Sequence, residues 1–386
     1  MTERILIRGG IVLTQDPDLG EIPNADVLIE DDKIVAIGKD LSAEGARIID
    51  ASGDIVIPGF VDTHRHTWET CIRTCAPDFA LITYFGSILD KFARHYRPED
   101  VHSATQWGAL ECINAGITTL VDWAHIMNTP EHADASVDAL TESGIRSVFA
   151  YGFPNTSLVD WWFGPDYTGS VLTSVGDEAR RVRSQYFSSD DGLVTMGLAT
   201  RGPGFCKPEV VRHDWELAKE LGVNITVHVA MDRFGYTKNQ VLALRDMDLL
   251  YPGTTYVHAS HFTEEEWELV RDSGGNVSLS HRSRSRWAMV GRRQPPHSNT
   301  ECRSVSPRTW PPPHQQISSP RCMPSSDRSG DVCIRRHGRP TSTGWSRHPG
   351  FSPRVRLLRW PPSAVPKWQG SPIAPGRSPR GRRLTS

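Results

Sequence analysis

The stretch PGFVDTHRHT, residues 58–67, decides the fold and points to the chemistry. An apolar run that ends in polar residues is typical of a buried strand leading into a site. In an extended strand, residues two apart point the same way, so His64 and His66 are expected to face one point, with Arg65 turned away. Neutral imidazole binds Zn and Fe, and the pair therefore indicates a metal site. A pair of surface or hydrogen-bonded histidines is the alternative.

Strands and helices alternate downstream of this stretch. The segment 97–116, RPEDVHSATQWGALECINAG, begins with a proline and two acids, continues with helical spacing and stops at Gly116. The strand ITTLVDWAH follows it, and the same rhythm repeats along the chain. Seven strands are expected between residues 60 and 280, which predicts an α/β fold: a (β/α)8 TIM-type barrel that is incomplete at its C-terminal end.

Polar side chains collect at the ends of these predicted strands, where barrel enzymes carry their chemistry. His228 ends NITVHV and His258 ends TTYVH, while His125 and Arg201 end two other strands. A lone histidine on an apolar strand is ordinarily a hydrogen-bonded core residue. The joint placement of His228 and His258 in a barrel whose first strand carries two histidines favours a functional role for both.

Residues 1–57 have a different pattern. Three β-branched runs, RILIRGGIVLT, ADVLIEDDKIVAIG and ARIIDASGDIVIPG, are broken by Gly and Asp turns and predict a small antiparallel sheet. The N-terminus lacks the layout of a signal peptide, no apolar run has the length of a membrane span, and the seven Cys form no CxxC pair. A cytoplasmic location without membrane contact is therefore expected.

Four motifs together resemble a known family. PGFVDTHRHT, GITTLVD, VHV and YVHASHFTEEE are similar to the metal-dependent amidohydrolases, in the branch that holds cytosine, guanine and adenosine-type deaminases and the triazine hydrolases. The resemblance covers roughly residues 1–280. It implies a barrel, over residues 58–280, flanked by a small β-sandwich to which residues 1–57 contribute.

The resemblance also implies one catalytic divalent metal ion, Zn or Fe. The family's ligands fall on His64, His66 and His228, and His258 would hold the attacking water or add a ligand. Strand four, LVTMGLATRG, lacks the lysine of the binuclear branches, so a mononuclear site follows. The implied activity is hydrolysis of a carbon–nitrogen bond other than a peptide bond, or deamination of a small cyclic substrate, by a metal-activated water.

One departure from the family concerns the proton donor. Many deaminases of this branch carry Glu three residues after the histidine of strand five, and this chain has Met231 there. The departure favours a hydrolase with another leaving group or another proton donor. Four residues are candidates for binding the small-molecule substrate: Arg201, His125, Trp68 and Glu69. A guanidinium at a barrel mouth can fix a carboxylate or a carbonyl.

The composition changes abruptly after residue 280. Residues 1–280 hold 22 Lys and Arg against 42 Asp and Glu, whereas residues 281–386 hold 21 against 3. The latter segment is rich in Arg, Pro and Ser and contains five Trp, but Lys367 is its only lysine. A disordered basic tail, a nucleic-acid-binding segment and a shifted reading frame are the alternatives, and the scarcity of lysine speaks against nucleic acid.

A frameshift explains this segment best. Read in the neighbouring frame, Trp287–Ala288 and Met289–Val290 must each encode Gly, and HRSRSRWAMV can read PESESLGHG. TECRSVSPRTWPPP can then read HGVPVSLSADVATT, an apolar strand that ends in Asp. The resemblance implies such a carboxylate at the end of strand eight. The alternative to an active enzyme is a catalytically defective barrel fragment with a disordered basic tail. The sequence leaves open whether the chain forms a homo-oligomer.

Overall fold

The computed structural model describes residues 3–42, 44–76, 79–153, 170–231 and 238–279. These residues form two compact units, one up to Ile57 and one from Pro58 onward. Residues 281–386, and with them the predicted tail and frameshift, lie outside the described residues.

The first unit is a five-stranded sheet. Its strands are β1 (Arg4–Leu13), β2 (Glu21–Glu30), β3 (Lys33–Gly38), β4 (Arg47–Asp50) and β5 (Ile55–Val56). The first three pair antiparallel, as predicted, but β4 and β5 run parallel to β1. The expectation of a purely antiparallel sheet is therefore wrong. The chain crosses from β3 at one edge to the far side of β1, and such a crossover returns a strand in the parallel direction.

The second unit contains a seven-stranded parallel sheet. Its strands are β6 (Phe60–Arg65), β7 (Ile117–Ala124), β8 (Arg146–Gly152), β9 (Val194–Thr200), β10 (Asn224–Val229), β11 (Thr255–His258) and β12 (Asn276–Ser278). Every strand pairs with its neighbour in the sequence, from β6 to β12. The sheet is a nearly closed (β/α) barrel, and the prediction of a barrel with seven strands in this region is confirmed.

Helices follow the strands. They are α1 (Leu81–Tyr84), which continues as a π-helix over Phe85–Phe92, α2 (Pro98–Asn114), α3 (Pro130–Ser143), α4 (Ser170–Tyr186), α5 (Pro208–Leu221), α6 (Gln240–Asp246) and α7 (Glu264–Asp272). The α2, α3 and α5 helices begin with proline, which lacks the N–H that a first turn leaves unpaired. In none of the described helices is there a segment long and apolar enough to cross a membrane.

The two faces of the barrel sheet bury different side chains. Leu120, Phe149 and Tyr256 belong to the large core that packs against the helices. Trp123 and Val257 belong to a separate small cluster. Because neighbouring residues of a strand point to opposite faces, this cluster lies on the inner face of the barrel.

The sheet is open between its first and last strands. Among the described residues, β6 and β12 each pair with one neighbouring strand only. The Oγ1 of Thr63 and the Oγ of Ser278 form a hydrogen bond of 2.7 Å across the gap. A cleft of about 560 Å³ lies here, lined by residues of both strands, including His64 and Ser278.

Candidate functional site

Three histidines from two distant strands converge at the carboxyl ends of β6 and β10. His64, His66 and His228 each offer one ring nitrogen, and these nitrogens lie within 4.8 Å of one another. The ring centroid of His64 is 4.7 Å from that of His66 and 4.9 Å from that of His228. The Nε2 atoms of His64 and His228 are 3.2 Å apart. The separation of 3.2 Å is that of two ligands around a single ion at 2.0–2.1 Å from each nitrogen.

An irregularity in β6 presents its two histidines. The pairing of β6 with β7 is regular at Asp62 and resumes only at Arg65, so the strand bends between them. Asp62 holds this bend, because it accepts the backbone N–H of His64 at 3.2 Å and pairs with Arg65 at 2.9 Å. The imidazoles thus face the barrel interior while Arg65 is bound by Asp62.

Trp123 on β7 supports the cluster in two ways that the sequence did not reveal. Its indole stacks on the ring of His228, with centroids 3.7 Å apart and planes at 18°. Its backbone carbonyl lies 2.9 Å from Nδ1 of His66 and accepts the proton of that nitrogen. Nε2 of His66 therefore keeps its lone pair, which is the form a metal needs. The alternation of LVDWAH was the available signal, since it places Trp123 on the inner face.

The environment keeps these imidazoles neutral. Burial first, and then the neighbouring histidines, hold the pKa of His64 and of His228 well below the ordinary value. Burial also lowers the pKa of His66 to about 4, against a weaker opposing effect of the Trp123 carbonyl. Neutral imidazole is the metal-binding form, so the site is ready for a cation near neutral pH.

His258 lies beside the cluster on a strained backbone. Its ring stacks over His228 at 5.1 Å and is 5.8 Å from the ring of His64. Its φ is +77°, and that of Ala259 is +46°, a left-handed conformation that is uncommon for residues other than glycine. Such backbone strain persists where the surrounding structure holds the residue in that conformation, and it is frequent at functional sites. The bend turns the end of β11 toward the histidines.

The turn that follows His66 is tied to its surroundings by polar contacts. The N–H of Thr67 donates to Oδ1 of Asp122 at 2.9 Å, and its hydroxyl donates to Thr105 at 3.1 Å. The indole N–H of Trp68 donates to Nδ1 of His125 at 3.1 Å. The sequence predicted Trp68 and His125 as site residues, whereas Asp122 was missed. Both predicted residues lie next to the cluster, because the rings of His125 and His66 are 4.3 Å apart.

Glu69 carries a partly buried carboxyl group on the same turn. It accepts a hydrogen bond from the hydroxyl of Tyr84 on α1. Burial raises the pKa of Glu69 to about 7, although the Tyr84 hydrogen bond acts in the opposite direction. A carboxyl group with such a pKa is an acid or a base near neutral pH.

Arg201 stands at the end of β9 in a buried ion pair. Its guanidinium donates to Asp214 of α5, with the closer contact at 3.0 Å, and both side chains are almost fully buried. It also lies over the ring of Phe153 at 4.6 Å. The structure therefore uses Arg201 to join β9 to α5, a partner that the sequence did not reveal. Its binding of substrate remains a prediction.

Comparison with known proteins gives one matching family and a set of curated relatives. The family model described as Amidohydrolase family matches residues 55–288. The 5-methylthioadenosine/S-adenosylhomocysteine deaminase of Symbiobacterium thermophilum is 31% identical, over 71% of this chain and 62% of that protein. The 5'-deoxyadenosine deaminase of Methanosarcina mazei is 28% identical, over 71% and 61%. The chain thus spans about three fifths of the length of these curated relatives.

Solved structures share the fold. The zinc complex of atrazine chlorohydrolase from Arthrobacter aurescens matches 74% of this chain and 67% of its own, with a TM-score of 0.67 and 24% identity. Guanine deaminase from C. acetobutylicum matches 74% and 70%, with a TM-score of 0.63 and 16% identity. At these identities, the likeness concerns the architecture alone.

Proposed function

The chain belongs to the amidohydrolase family, and on that premise we propose that it hydrolyses a carbon–nitrogen bond, other than a peptide bond, in a small cyclic substrate. The observation that carries the proposal is the convergence of three imidazole nitrogens within 4.8 Å at the ends of β6 and β10. Barrel enzymes place their chemistry at this end of the sheet.

The donor set fits one divalent ion. His64, His66 and His228 supply nitrogen ligands, which suit Zn and Fe. Nε2 of His64 lies 3.2 Å from Nε2 of His228, so these two rings present a nitrogen to the same point. The end of β9 offers Thr200 and Arg201 rather than a lysine, which supports a single ion. Zinc and iron remain alternatives.

The residues around the ion have separate tasks in this proposal. When bound, a divalent ion supplies Lewis-acid chemistry and activates water at neutral pH. His258 holds the attacking water and takes up its proton. The oxygen forms a bond to the ring carbon, the carbon–nitrogen bond breaks, and the amine leaves with the transferred proton. The stacking of His258 on His228 supports this role, because it places the imidazole at the cluster.

Substrate binding is assigned to the residues around this centre. Trp68 and His125 form one wall beside His66. Glu69, with a pKa of about 7, can donate or accept a proton at the edge of this wall. Arg201, which follows β9 and lies over the ring of Phe153, is assigned to substrate binding as the sequence predicts. The cytoplasmic location expected from the sequence stays a prediction, and a homo-oligomer stays open.

The relatives suggest the substrate class. The curated relatives are deaminases of adenosine derivatives. By that likeness, we propose an amino-substituted nitrogen heterocycle as the substrate of this chain. Met231, which is buried at 3% exposure, offers no proton at the end of β10. Another group must therefore protonate the ring or the leaving nitrogen, which keeps leaving groups other than ammonia within the proposal.

A second candidate is a catalytically defective barrel. The open gap between β6 and β12 favours it, since none of the described residues forms an eighth strand there. In that case the chain keeps the barrel fold but does not turn over substrate.

The experiment uses the full chain. Metal per chain is measured after loading with Zn or Fe, and release of ammonia or amine is followed from adenosine derivatives and amino-triazines. One equivalent of metal with turnover, both lost in His66→Ala, supports the enzyme. Metal without turnover indicates the defective barrel, and absence of both overturns the metal assignment.

A further inference from the structure

We propose that Gln240 is a positioning residue for His228, and that Glu266 holds Gln240 in the place from which it acts. The inference rests on the proposed function, in which His228 is a metal ligand. It concerns how β10 presents this histidine, and it assigns a role to two buried polar side chains outside the histidine cluster. The contacts that carry it are all formed by residues that the structure describes.

A side chain holds the end of β10. The pairing of β10 with β9 ends at Val227, and its pairing with β11 ends at Val229. The next residue, Ala230, has a φ of +47°, a left-handed conformation that is uncommon outside glycine. The N–H of Ala230 donates to Oε1 of Gln240 at 2.6 Å, in a buried contact. Gln240 thus fixes the chain two residues beyond His228.

The amide of Gln240 is oriented by this contact. A backbone N–H can only donate, so the amide atom that faces Ala230 must be the oxygen. Gln240 is 2% exposed, and its Nε2 is buried without a hydrogen-bond partner in the part of the chain that the structure describes. A buried donor without a partner costs stability. The contribution of Gln240 is therefore its acceptor oxygen at Ala230, and that contact offsets an unpaired amide nitrogen.

Glu266 fixes the backbone from which Gln240 extends. Its carboxylate is fully buried, and Oε1 accepts the N–H of Val241, the residue after Gln240, at 3.2 Å. Oε2 accepts the N–H of Thr263 at 3.0 Å, as part of the capping box that begins α7. One carboxylate therefore joins the first turns of α6 and α7. A change at Glu266 is expected to reach Ala230 through Gln240.

The position of the end of β10 decides whether His228 meets the other ligands. His64 and His66 belong to β6 and the residue after it, so the third nitrogen depends on β10 alone. The Nε2 atoms of His228 and His64 are 3.2 Å apart. Metal–ligand distances tolerate deviations of about 0.2 Å. A misplacement of about 1 Å, caused by a change away from the chemistry, can cost about 100-fold.

The first test reads the position of His228 without a metal. The full chain is labelled with ¹³C,¹⁵N-histidine, and the His228 resonances are identified by their loss in His228→Ala. The ring of His228 stacks on Trp123 at 3.7 Å, so its ring protons lie in the ring current of the indole. We expect these resonances to move in Gln240→Met, which has a similar length but no acceptor, because the ring shifts over Trp123.

Asp26 on β2 provides the matched control. This carboxylate is 4% exposed and accepts two backbone N–H groups, from Gly9 at 2.9 Å and from Leu41 at 3.0 Å. Asp26→Asn removes the acceptor of one of them, as Gln240→Met removes the acceptor of Ala230. The control should lower thermal stability and leave the His228 resonances and the zinc affinity unchanged, since the loss lies in the first unit.

The second test is zinc affinity, measured by competition with a chromophoric chelator. We expect the dissociation constant for Zn to rise about 10–100-fold in Gln240→Met. Glu266→Met should change it in the same direction. Gln240→Glu keeps an acceptor oxygen in either protonation state of its carboxyl group and should retain most of the affinity.

Two results would overturn the positioning role. One is unchanged His228 resonances or unchanged zinc affinity in Gln240→Met. The other is an equal loss of affinity in Gln240→Met and Gln240→Glu at equal thermal stability. If the wild type binds no zinc, the proposed function fails, and the His228 resonances of the metal-free chain still decide whether Gln240 positions that ring.

Discussion

The Nε2 atoms of His64 and His228 face each other at 3.2 Å, although the two residues are 164 positions apart. As a hydrogen bond, this contact needs a proton on one of the nitrogens. As a ligand pair, it needs both lone pairs directed at one ion. Burial, which lowers the pKa of both rings, favours neutral imidazoles in either case.

The ligand interpretation predicts the effect of His228→Ala on metal binding. We expect its dissociation constant for Zn to rise by more than about 100-fold, because even residues that only orient a ligand contribute 10–100-fold. Competition with a chromophoric chelator measures it. His102→Gln is the matched control, since His102 pairs with Glu142 on the surface. Equal zinc affinity of His228→Ala and the wild type would refute the assignment.

The carboxyl group of Glu69 predicts a pH dependence of stability. Unfolded Glu titrates near 4.5, whereas burial raises the folded pKa to about 7, so the folded state binds more protons between these values. Stability from this group is present below pH 4.5 and is lost as the pH rises through 7. Glu69→Gln removes the titration and keeps an acceptor for Tyr84.

Urea unfolding of Glu69→Gln and the wild type should therefore agree near pH 4.5 and diverge toward pH 8. The variant should be the more stable one there, by up to roughly 3 kcal/mol. Glu131→Gln is the control with the opposite sign, because the Thr129 hydroxyl lowers the pKa of that exposed carboxyl group. Parallel curves for Glu69→Gln and the wild type would contradict the prediction.

The buried pair of Arg201 and Asp214 predicts a large loss of stability in Asp214→Ala. Removal of one partner leaves the guanidinium buried without its counter-ion, which costs about 3–5 kcal/mol. The exposed pair of Arg245 and Glu265 is the control, and Glu265→Ala should cost less than about 1 kcal/mol. Urea unfolding midpoints measure both. A similar cost for the two variants would mean that the buried pair does not join β9 to α5 as described.

On the frameshift hypothesis, the gap between β6 and β12 among the described residues predicts the effect of restoring the reading frame. A corrected gene would then encode PESESLGHG after Ser280 and a strand that ends in Asp. We expect tighter metal binding and faster turnover than in the present chain, since barrel closure and a further proton-transferring group, the Asp of strand eight, would both be regained. General acid–base help alone contributes about 10²–10⁴-fold in rate.

Expression of both versions, with metal content and the heterocycle panel as readouts, makes the comparison. If the present chain holds one equivalent of metal and turns over as fast as the corrected one, strand eight is not needed. Sequencing of the gene across the codons for Ser280 to Arg282 gives an independent check of the frame.

The barrel could be predicted from the sequence because its signals are local. Seven apolar runs, three of which carry His64, His228 and His258 at their ends, were sufficient for all seven strands, with Pro and Gly marking the helices. The parallel pairing of β4 with β1 could not be predicted, since it depends on the path of a connection rather than on strand pattern. The short helix α1 was missed for a similar reason, since four residues carry little periodicity.

The partners of the site residues were harder to predict than the residues themselves. Asp214 falls on the apolar face of its helix, at the spacing of Val211 and Ala218, but this pattern does not reveal that its partner is Arg201. Trp123 acts through its backbone carbonyl, which every residue has. Such contacts follow from the close approach of strands and helices in three dimensions.

The position of β6 at the edge of the described sheet affects how often this strand opens locally, as well as the architecture of the barrel. Two of the three imidazoles belong to this strand and to the residue after it, whereas β8 and β9 are enclosed by neighbours on both sides. Local opening starts where few backbone bonds hold a segment, so amide hydrogens of β6 should exchange with solvent sooner than those of β8. Release of a bound cation would then depend on local opening of β6. The residence time of the cation would report how often the hydrogen bond between Thr63 and Ser278 breaks.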